Sequence, residues 1–578
     1  MHVKGLHVLV ALAIAIALVS GVSAEADVGS GSGPPTSVGA GGAAASVEKL
    51  ATQAGIDILH QGGNAVDAAV AAAAVLGVTE PFSCGIGGGG FMVLRTAGGA
   101  VTTIDGRETA PAAMHPASFM QKGTPPTPLP FADARYSGLS VGVPGTVETW
   151  VDALEKYGTM SLAEVFAPAI HVARHGYVID QIWFDQANAN RDWFDDIPAS
   201  AALFLDADGT PRDVGTVFTN PALARTYERI AHLGAKGFYR GAVASALVET
   251  VQHPTVTPTA NHVWRPGVMK MRDLHTYAAP ERLPTHVNYR GLDVYSMGPP
   301  SSGGSTVGEA LNILEGYPLS SMTREAALHY YLEASRYSFA DRNAYLADPA
   351  YFDVPLSGLL SEEYAATRRA LIKETAAPGP VPPGDPYPYE GAETTTHLAT
   401  SDKSGNVVSY TFTIESTGGA GLVVPGYGFL LNNELTDFNF DSTTHPNRVE
   451  GGKRPRSSMA PTIVTKAGKP FLAVGSPGGA TIITTVLQIL LDRIDLGMTL
   501  PQAIADPRAS QRNALNTGAE PAFLGTPERA ALELRGHRFT NAGEIGAATG
   551  IEFLPGGGVL AAAEPVRRGG GSAMTELP

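Results

Sequence analysis

An α+β globular protein is what this sequence predicts, on three observations. Hydrophobic residues make up 44% of the 578 positions and charged residues 16%, a balance that suits a large buried core and not a disordered chain. Strand-like runs occur in pairs around short turn sequences, the pattern of antiparallel hairpins. Between them lie segments with apolar residues at helical spacing, bounded by capping residues. Length alone would suggest about three or four domains, as a soft prior.

The chain opens with Lys4, an apolar run from Val8 to Val19, and the small-residue site Val22-Ser23-Ala24. This is the pattern of an export signal. The alternative is a retained membrane anchor, but the run is short for a bilayer span and no stop-transfer flank follows. Residues 1–24 are therefore expected to be removed. The mature protein would start near Glu25, be secreted or periplasmic, and carry no membrane span. Residues 25–45, rich in Gly, Ser, Pro and Ala, are expected to form a flexible linker.

Ser46 is placed to cap a helix carrying Val47, Leu50, Ala54 and Leu59,. Gly62-Gly63 ends it. Asn64 caps the next helix, Ala65 to Leu76, which is rich enough in Ala to pack closely on both sides. The glycine run from Gly87 to Gly90 lacks the Lys and Ser/Thr of a phosphate loop, and reads as close backbone packing near a pocket. Phe91–Leu94 and Val101–Ile104 form two strands about Ala97-Gly98-Gly99, with Arg107 just beyond. Met297 to Gly304 is a tight loop before a helix. A long helix covers Arg324 to Asn343, where Asp341-Arg342 reads as an ion pair or a charged helix face. His397–Ser401 and Val407–Ile414 pair about Lys403-Ser404-Gly405-Asn406. A further hairpin from Pro461 to Val474 turns at Ala467-Gly468. After Gly475-Ser476-Pro477-Gly478-Gly479 a helix presents Ile482, Val486, Ile489 and Leu490 on one face,.

Several function classes are disfavoured. A formal net charge of −15 repels nucleic acid and anionic membrane surfaces. Cys84 is the only cysteine, so no intramolecular disulfide and no paired-cysteine metal site can form. The histidines show no ligand spacing, and no metal is expected. His397 is expected to be packed and not catalytic.

The sharpest composition shift runs from Ala376 to Glu393 and contains Pro378, Pro380, Pro382, Pro383, Pro386 and Pro388. Prolines at that density exclude helix and sheet interior. The stretch ends at Thr394-Thr395-Thr396-His397, where strand-like sequence resumes. An inter-domain linker followed by a Thr-rich strand edge explains these residues. So does a cut before Thr395, which would place a free α-amine beside a hydroxyl, and that amine can serve as the general base. Gly478 and Gly479, just before a helix, offer two backbone N–H groups of the kind a tetrahedral oxyanion needs, or form a plain strand-to-helix turn. Arg107, Glu434, Asp437, Ser457 and Ser458 are polar groups in apolar surroundings. A substrate with an α-carboxylate and an α-ammonium would need a guanidinium and hydroxyls at one end and carboxylates at the other.

Six motifs resemble the γ-glutamyltranspeptidases, in the same order over essentially all of the mature chain. They are Gly62 to Ala69, Asp105-Gly106-Arg107-Glu108, Thr395-Thr396-His397, Leu431-Asn432-Asn433-Glu434-Leu435-Thr436-Asp437-Phe438, Lys453 to Met459, and Gly475 to Gly479. The resemblance implies an N-terminal-nucleophile hydrolase with a four-layer αββα sandwich. It implies cleavage between Thr394 and Thr395 into a large piece (46–394, after the linker) and a small piece (395–578) that stay together as one unit. It places the nucleophile on Thr395, an assisting threonine on Thr413 and the oxyanion glycines on Gly478 and Gly479. Arg107, Ser457 and Ser458 would hold the substrate carboxylate, and Glu434 and Asp437 the ammonium. Glutathione and other γ-glutamyl compounds would be donors, with water or amino-acid and peptide amines as acceptors, and no cofactor.

Two features depart from the family pattern. Glu415 stands where well-known members have asparagine near the ammonium group. Asp441 to Gly452 is short for a pocket-covering loop and lacks tyrosine. Both favour the alternative of a related cephalosporin or glutaryl amide acylase. A non-catalytic secreted binding protein is the remaining alternative. It would have lost the nucleophile or the oxyanion turn, and both are present.

Overall fold

The structure, a computed structural model, describes residues 35–384 and 396–576. The export-signal segment, residues 25–34 of the expected linker, and both Thr394 and Thr395 lie outside the described residues.

Two seven-stranded antiparallel sheets lie face to face. One has the spatial order Thr36–Gly39, Val559–Ala563, Thr549–Phe553, Lys469–Gly475, Thr462–Lys466, Leu292–Ser296, Thr285–Tyr289. The other runs Ser572–Thr575, Ala43–Ser46, Thr396–Ser401, Val407–Thr413, Gly89–Arg95, Val101–Gly106, Glu281–Arg282. Both sheets take strands from either side of position 395, so strand pairing welds the two parts of the chain into one unit. Alternation along each strand divides the core. Met92 and Leu94 belong to the cluster packed on the helices, and Phe91 and Val93 to the cluster between the sheets.

Helices cover the outer face of each sheet and complete the four-layer αββα sandwich. Lys49–His60, Ala65–Thr79 and Thr146–Tyr157 lie on one side, and Gly303–Glu315, Arg324–Tyr345 and Thr481–Ile494 on the other. Every residue of Ala65–Thr79 is buried, and its small side chains make that possible. A Cβ at Gly55 of the preceding helix would sit 3.1 Å from the Ala44 methyl and 3.8 Å from that of Ala72. Asn64 and Asp67 form the capping box of this helix, an arrangement worth about 1 kcal/mol. At Ala467-Gly468 both residues have positive φ, 50° and 77°, as a two-residue hairpin turn of the primed type requires.

Three expectations are corrected. The flexible linker does not extend to Ala45, because Thr36–Gly39 and Ala43–Ser46 are sheet strands. Small side chains that read as linker composition are also what a strand buried between Ser572–Thr575 and Thr396–Ser401 needs. Ser46 therefore ends a strand, and Glu48 caps the first helix by accepting from the N–H groups of Leu50 and Ala51, both at 2.9 Å. Finally, Asp341 and Arg342 are both buried and do not pair with each other. Asp341 meets Arg368 at 2.8 Å, while Arg342 reaches under the serine loops described below.

The proline-rich stretch is strapped along helix Arg324–Tyr345 as far as it is described. Its prolines have no N–H to satisfy, and side chains take three of the donors that remain. Ala377 N–H donates to Glu333 (3.1 Å), Val381 N–H to Asn513 (2.7 Å) and Gly384 N–H to Asp341 (2.6 Å).

Candidate active site

Of the expected site residues, Thr394 and Thr395 lie outside the described residues, while Thr413 and the turn carrying Gly478 and Gly479 meet the start of strand Thr396–Ser401. Thr396 is paired with Phe412, so the start of its strand lies beside Thr413 at the end of the next one. The His397 ring packs on the Gly475 backbone, filling the space where a Cβ would be. That contact sets the same strand start against the turn from Ser476 to Gly479. On the other side, a Cβ at Gly88 would be driven into the Thr413 carbonyl, and one at Gly87 into that of Leu430. Gly87–Gly90 is thus the close backbone packing that its composition suggested.

Gly478 and Gly479 have φ of 132° and 61°, a region glycine enters at little steric cost. Their carbonyls accept the bonds that start the following helix, from Thr481 (3.2 Å) and Ile482 (3.0 Å). The two N–H groups make no bond within the turn. The Thr413 hydroxyl accepts from the Glu415 N–H at 2.8 Å.

Arg107 emerges from the end of Val101–Gly106 and is fully buried. Asp105 orients it by accepting its backbone N–H at 3.0 Å. The guanidinium donates to the carbonyls of Pro455 and Arg456, each at 3.1 Å, and forms ion pairs with Glu434 and Asp437. Those two acids share one 3₁₀ turn, Glu434–Asp437, in which residues three apart are eclipsed. The sequence pattern suggested a guanidinium end and a carboxylate end. The structure instead joins Arg107 directly to both acids in one cluster. Glu108, next in the chain, is buried among them. Burial pushes its carboxyl up to about 8, against the pull of Arg107 and with a further push from Asp437.

Ser457 and Ser458 directly follow Arg456, whose carbonyl Arg107 holds. The Ser457 carbonyl accepts from Ser302 N–H (2.7 Å) and Oγ (2.5 Å), and the Ser457 hydroxyl accepts from Met459 N–H at 3.2 Å. Arg342 donates from Nε to Ser302 Oγ at 2.9 Å and from Nη2 to Ser458 Oγ at 2.5 Å. Glu415 has φ of 76°, unusual for a residue with a side chain. Its carboxylate accepts from Ser416 Oγ and Asn433 Nδ2.

Sequence reasoning assigned no role to four residues that build the site. Asn432 accepts from Gly142 N–H (2.9 Å) and Glu434 N–H (3.0 Å), and donates to the Gly87 carbonyl (2.7 Å). Asn433 accepts from Ser416 N–H at 3.0 Å and donates to Thr436 at 3.0 Å. Arg342 supports the serines and Glu108 fills the centre. The Asn-Asn pair lay inside a recognised motif and was the available signal, whereas Arg342 carried none. His397 is buried with Nδ1 2.8 Å from Thr411 Oγ1. Burial lowers its pKa to about 3, which suits a packed ring and a poor base. Just after the Asp441–Gly452 segment, Lys453 is buried and donates to the Pro446 carbonyl at 2.5 Å. Among the described residues no group of three or more His, Cys, Asp or Glu could hold a metal, and no helix is long and apolar enough to cross a membrane.

The two-sheet αββα sandwich is the fold of a class, the N-terminal-nucleophile hydrolases. The family model for Gamma-glutamyltranspeptidase matches residues 51–574, and the chain belongs to that family. It is 40% identical over 491 residues to the glutathione hydrolase proenzyme of Bacillus subtilis strain 168, covering 82% of this chain and 81% of the relative. It is 38% identical over 514 residues to the corresponding proenzyme of Pseudomonas sp. strain A14, covering 86% of each. Among solved structures, a cephalosporin acylase from Bacillus halodurans superposes with a TM-score of 0.83 at 29% identity, covering 94% of this chain and 97% of that one.

Proposed function

We propose that this protein is a self-cleaving γ-glutamyltransferase and glutathione hydrolase, exported through its N-terminal signal, with Thr395 as nucleophile. The observation that carries the substrate reading is the buried cluster of Arg107 with Glu434 and Asp437, beside Ser457 and Ser458. A γ-glutamyl group presents an α-carboxylate and an α-ammonium on one carbon, and a zwitterion matches a site holding both charge signs. The carboxylate would exchange onto Arg107 and the serine hydroxyls, and the ammonium onto Glu434 and Asp437, with Glu415 adding a third acid.

The reaction follows from the groups of this site. Cleavage between Thr394 and Thr395 leaves a large piece ending at Thr394 and a small piece from Thr395 to Pro578. The Thr395 hydroxyl attacks the γ-amide carbonyl while the free α-amine takes the proton. The N–H groups of Gly478 and Gly479 receive the oxyanion, and Thr413 assists the nucleophile. The amine leaves with the proton, and a γ-glutamyl ester remains on Thr395. Water then releases glutamate, or an amino-acid or peptide amine takes the acyl group. Neither step needs a cofactor. The buried His397, held neutral, is not required as a base.

N-terminal sequencing of the small fragment tests the reading: it should begin at Thr395, and Thr395→Ala should remain one chain. A fragment beginning elsewhere, or processing of the variant, overturns it. The similarity to a cephalosporin acylase, together with Glu415 and the short Asp441–Gly452 segment, favours amide acylase activity as the second reading. Hydrolysis of γ-glutamyl and glutaryl anilides separates the two, and preference for the glutaryl group would move the assignment to the acylase.

A further inference from the structure

Glu415 holds a backbone conformation that costs a residue with a side chain on the order of 1 kcal/mol or more, so something must pin the loop it begins. Asn433 pins the inner side, through Ser416 N–H and the Glu415 carboxylate. The outer side is pinned from a distant part of the chain. Arg135 ends the short helix Phe131–Arg135. Its Nε donates to the Gly419 carbonyl at 3.2 Å, and its Nη2 donates to the Thr417 carbonyl and to Asn190 Oδ1, the latter at 3.2 Å. The same Asn190 oxygen accepts from the Tyr136 hydroxyl at 3.2 Å, and Asn190 Nδ2 donates to the Gln186 carbonyl at 2.9 Å. Ser140 Oγ and Ser137 N–H hold the Arg135 carbonyl at 2.6 and 2.9 Å. The guanidinium lies 4.4 Å from the centre of the Tyr136 ring, which stacks on Trp193 at 4.0 Å. Arg135 is thus locked on its own side and grips the carbonyls of Thr417 and Gly419, two residues apart in the loop, on the other.

We infer that Arg135 is a positioning residue for substrate recognition: its fork on Thr417 and Gly419 holds the loop that presents Glu415 to the donor's α-ammonium. The inference deepens the proposed function and rests on Glu415 facing that ammonium. Arg135 does not touch substrate, and its effect passes through the loop. Lysine at this position would keep the charge but lose the planar fork that serves both carbonyls. The clamp also crosses the expected cut, joining residue 135 of one piece to residues 417 and 419 of the other.

A double-mutant cycle on the processed enzyme tests this, with a γ-glutamyl anilide as donor and kcat and KM measured separately. Glu415→Gln alone should raise KM about tenfold, and Arg135→Gln alone should do the same with kcat within about twofold, the size of one lost charge-assisted contact. The double variant should be no worse than Glu415→Gln, because both remove one interaction. Arg135→Lys should behave like Arg135→Gln, and it carries the test should the glutamine variant fail to fold. If Glu415→Gln raises KM while the Arg135 variants leave it unchanged, or if the two effects multiply, Arg135 does not act through Glu415 and the inference falls. If Glu415→Gln itself leaves KM unchanged, the ammonium reading of Glu415 falls first.

Discussion

The buried histidine at the root of the site should make the protein acid-sensitive. His397 is 0% exposed, wedged between Thr411 and the Gly475 backbone. Its pKa drops from an ordinary 6.5 to about 3 through burial. Between those values the unfolded chain binds a proton that the folded chain refuses. Stability from this ring is therefore complete above pH 6.5 and is lost as pH falls toward 3. Going from pH 7.5 to 5.5 should cost about 1.3 kcal/mol per ring of this kind. His537 is a second such ring, lowered to about 3 by burial and then by His329, Arg336 and Arg535. The perturbation is His397→Gln, which cannot take up the proton and retains polar atoms for Thr411. Urea unfolding of the single-chain Thr395→Ala precursor at the two pH values is the assay, with and without His397→Gln. The histidine-containing chain should lose about 1.3 kcal/mol more than the glutamine variant. Equal losses would mean that His397 titrates normally and is not sealed against the Gly475 backbone.

The remaining predictions concern packing and charge. Gly88→Ala forces a methyl into the Thr413 carbonyl and should cost about 1–3 kcal/mol together with most activity. Gly98→Ala, whose nearest neighbour is 3.8 Å away, should change neither thermal midpoint nor turnover. Arg107→Gln strands Glu434 and Asp437 in a buried cluster and should destabilise the fold by about 3–5 kcal/mol. Hydrolysis of γ-glutamyl anilide should fall with it, and Arg107→Lys should restore little because an ammonium lacks the planar fork that meets both acids and the carbonyls of Pro455 and Arg456 together,. Lys453 is drawn down from 10.5 to about 8 by burial, then by Arg448. Its charge penalty is therefore present in full below pH 8 and relieved up to pH 10.5. Wild-type stability should gain about 2–3 kcal/mol from this group over that interval, and Lys453→Met should flatten the rise in urea titrations.

Much of the fold was legible because it is written locally. The hairpin at Ala467-Gly468 needs two left-handed residues in a row, and the capping box of Asn64 and Asp67 needs a spacing of three. Both signals lie within four residues of the feature they create. The glycine run at Gly87 was legible too, since residues without a side chain mark close approach. The linker reading failed on Ala43 to Ala45 because Gly/Ala/Ser composition is shared by a flexible segment and by a tightly buried strand. Only the strand partners distinguish the two, and they lie more than 350 residues away.

The site divides in the same way. Its motifs were present in the sequence, and with them the residue types that acyl transfer from a zwitterionic donor requires. Their mutual arrangement was not. That Arg107 meets both Glu434 and Asp437 depends on the Val101–Gly106 strand ending opposite a 3₁₀ turn more than 300 residues further on. Arg342 looked like part of a helix face, and only the packing of that helix under two loops turns it toward Ser302 and Ser458. By itself the sequence determined the local conformations and the inventory of chemical groups, because turns, caps and residue types act over a few bonds. The tertiary structure alone decided which groups touch, because each contact closes a loop of tens to hundreds of residues and exists only when both sheets and their helices are in place.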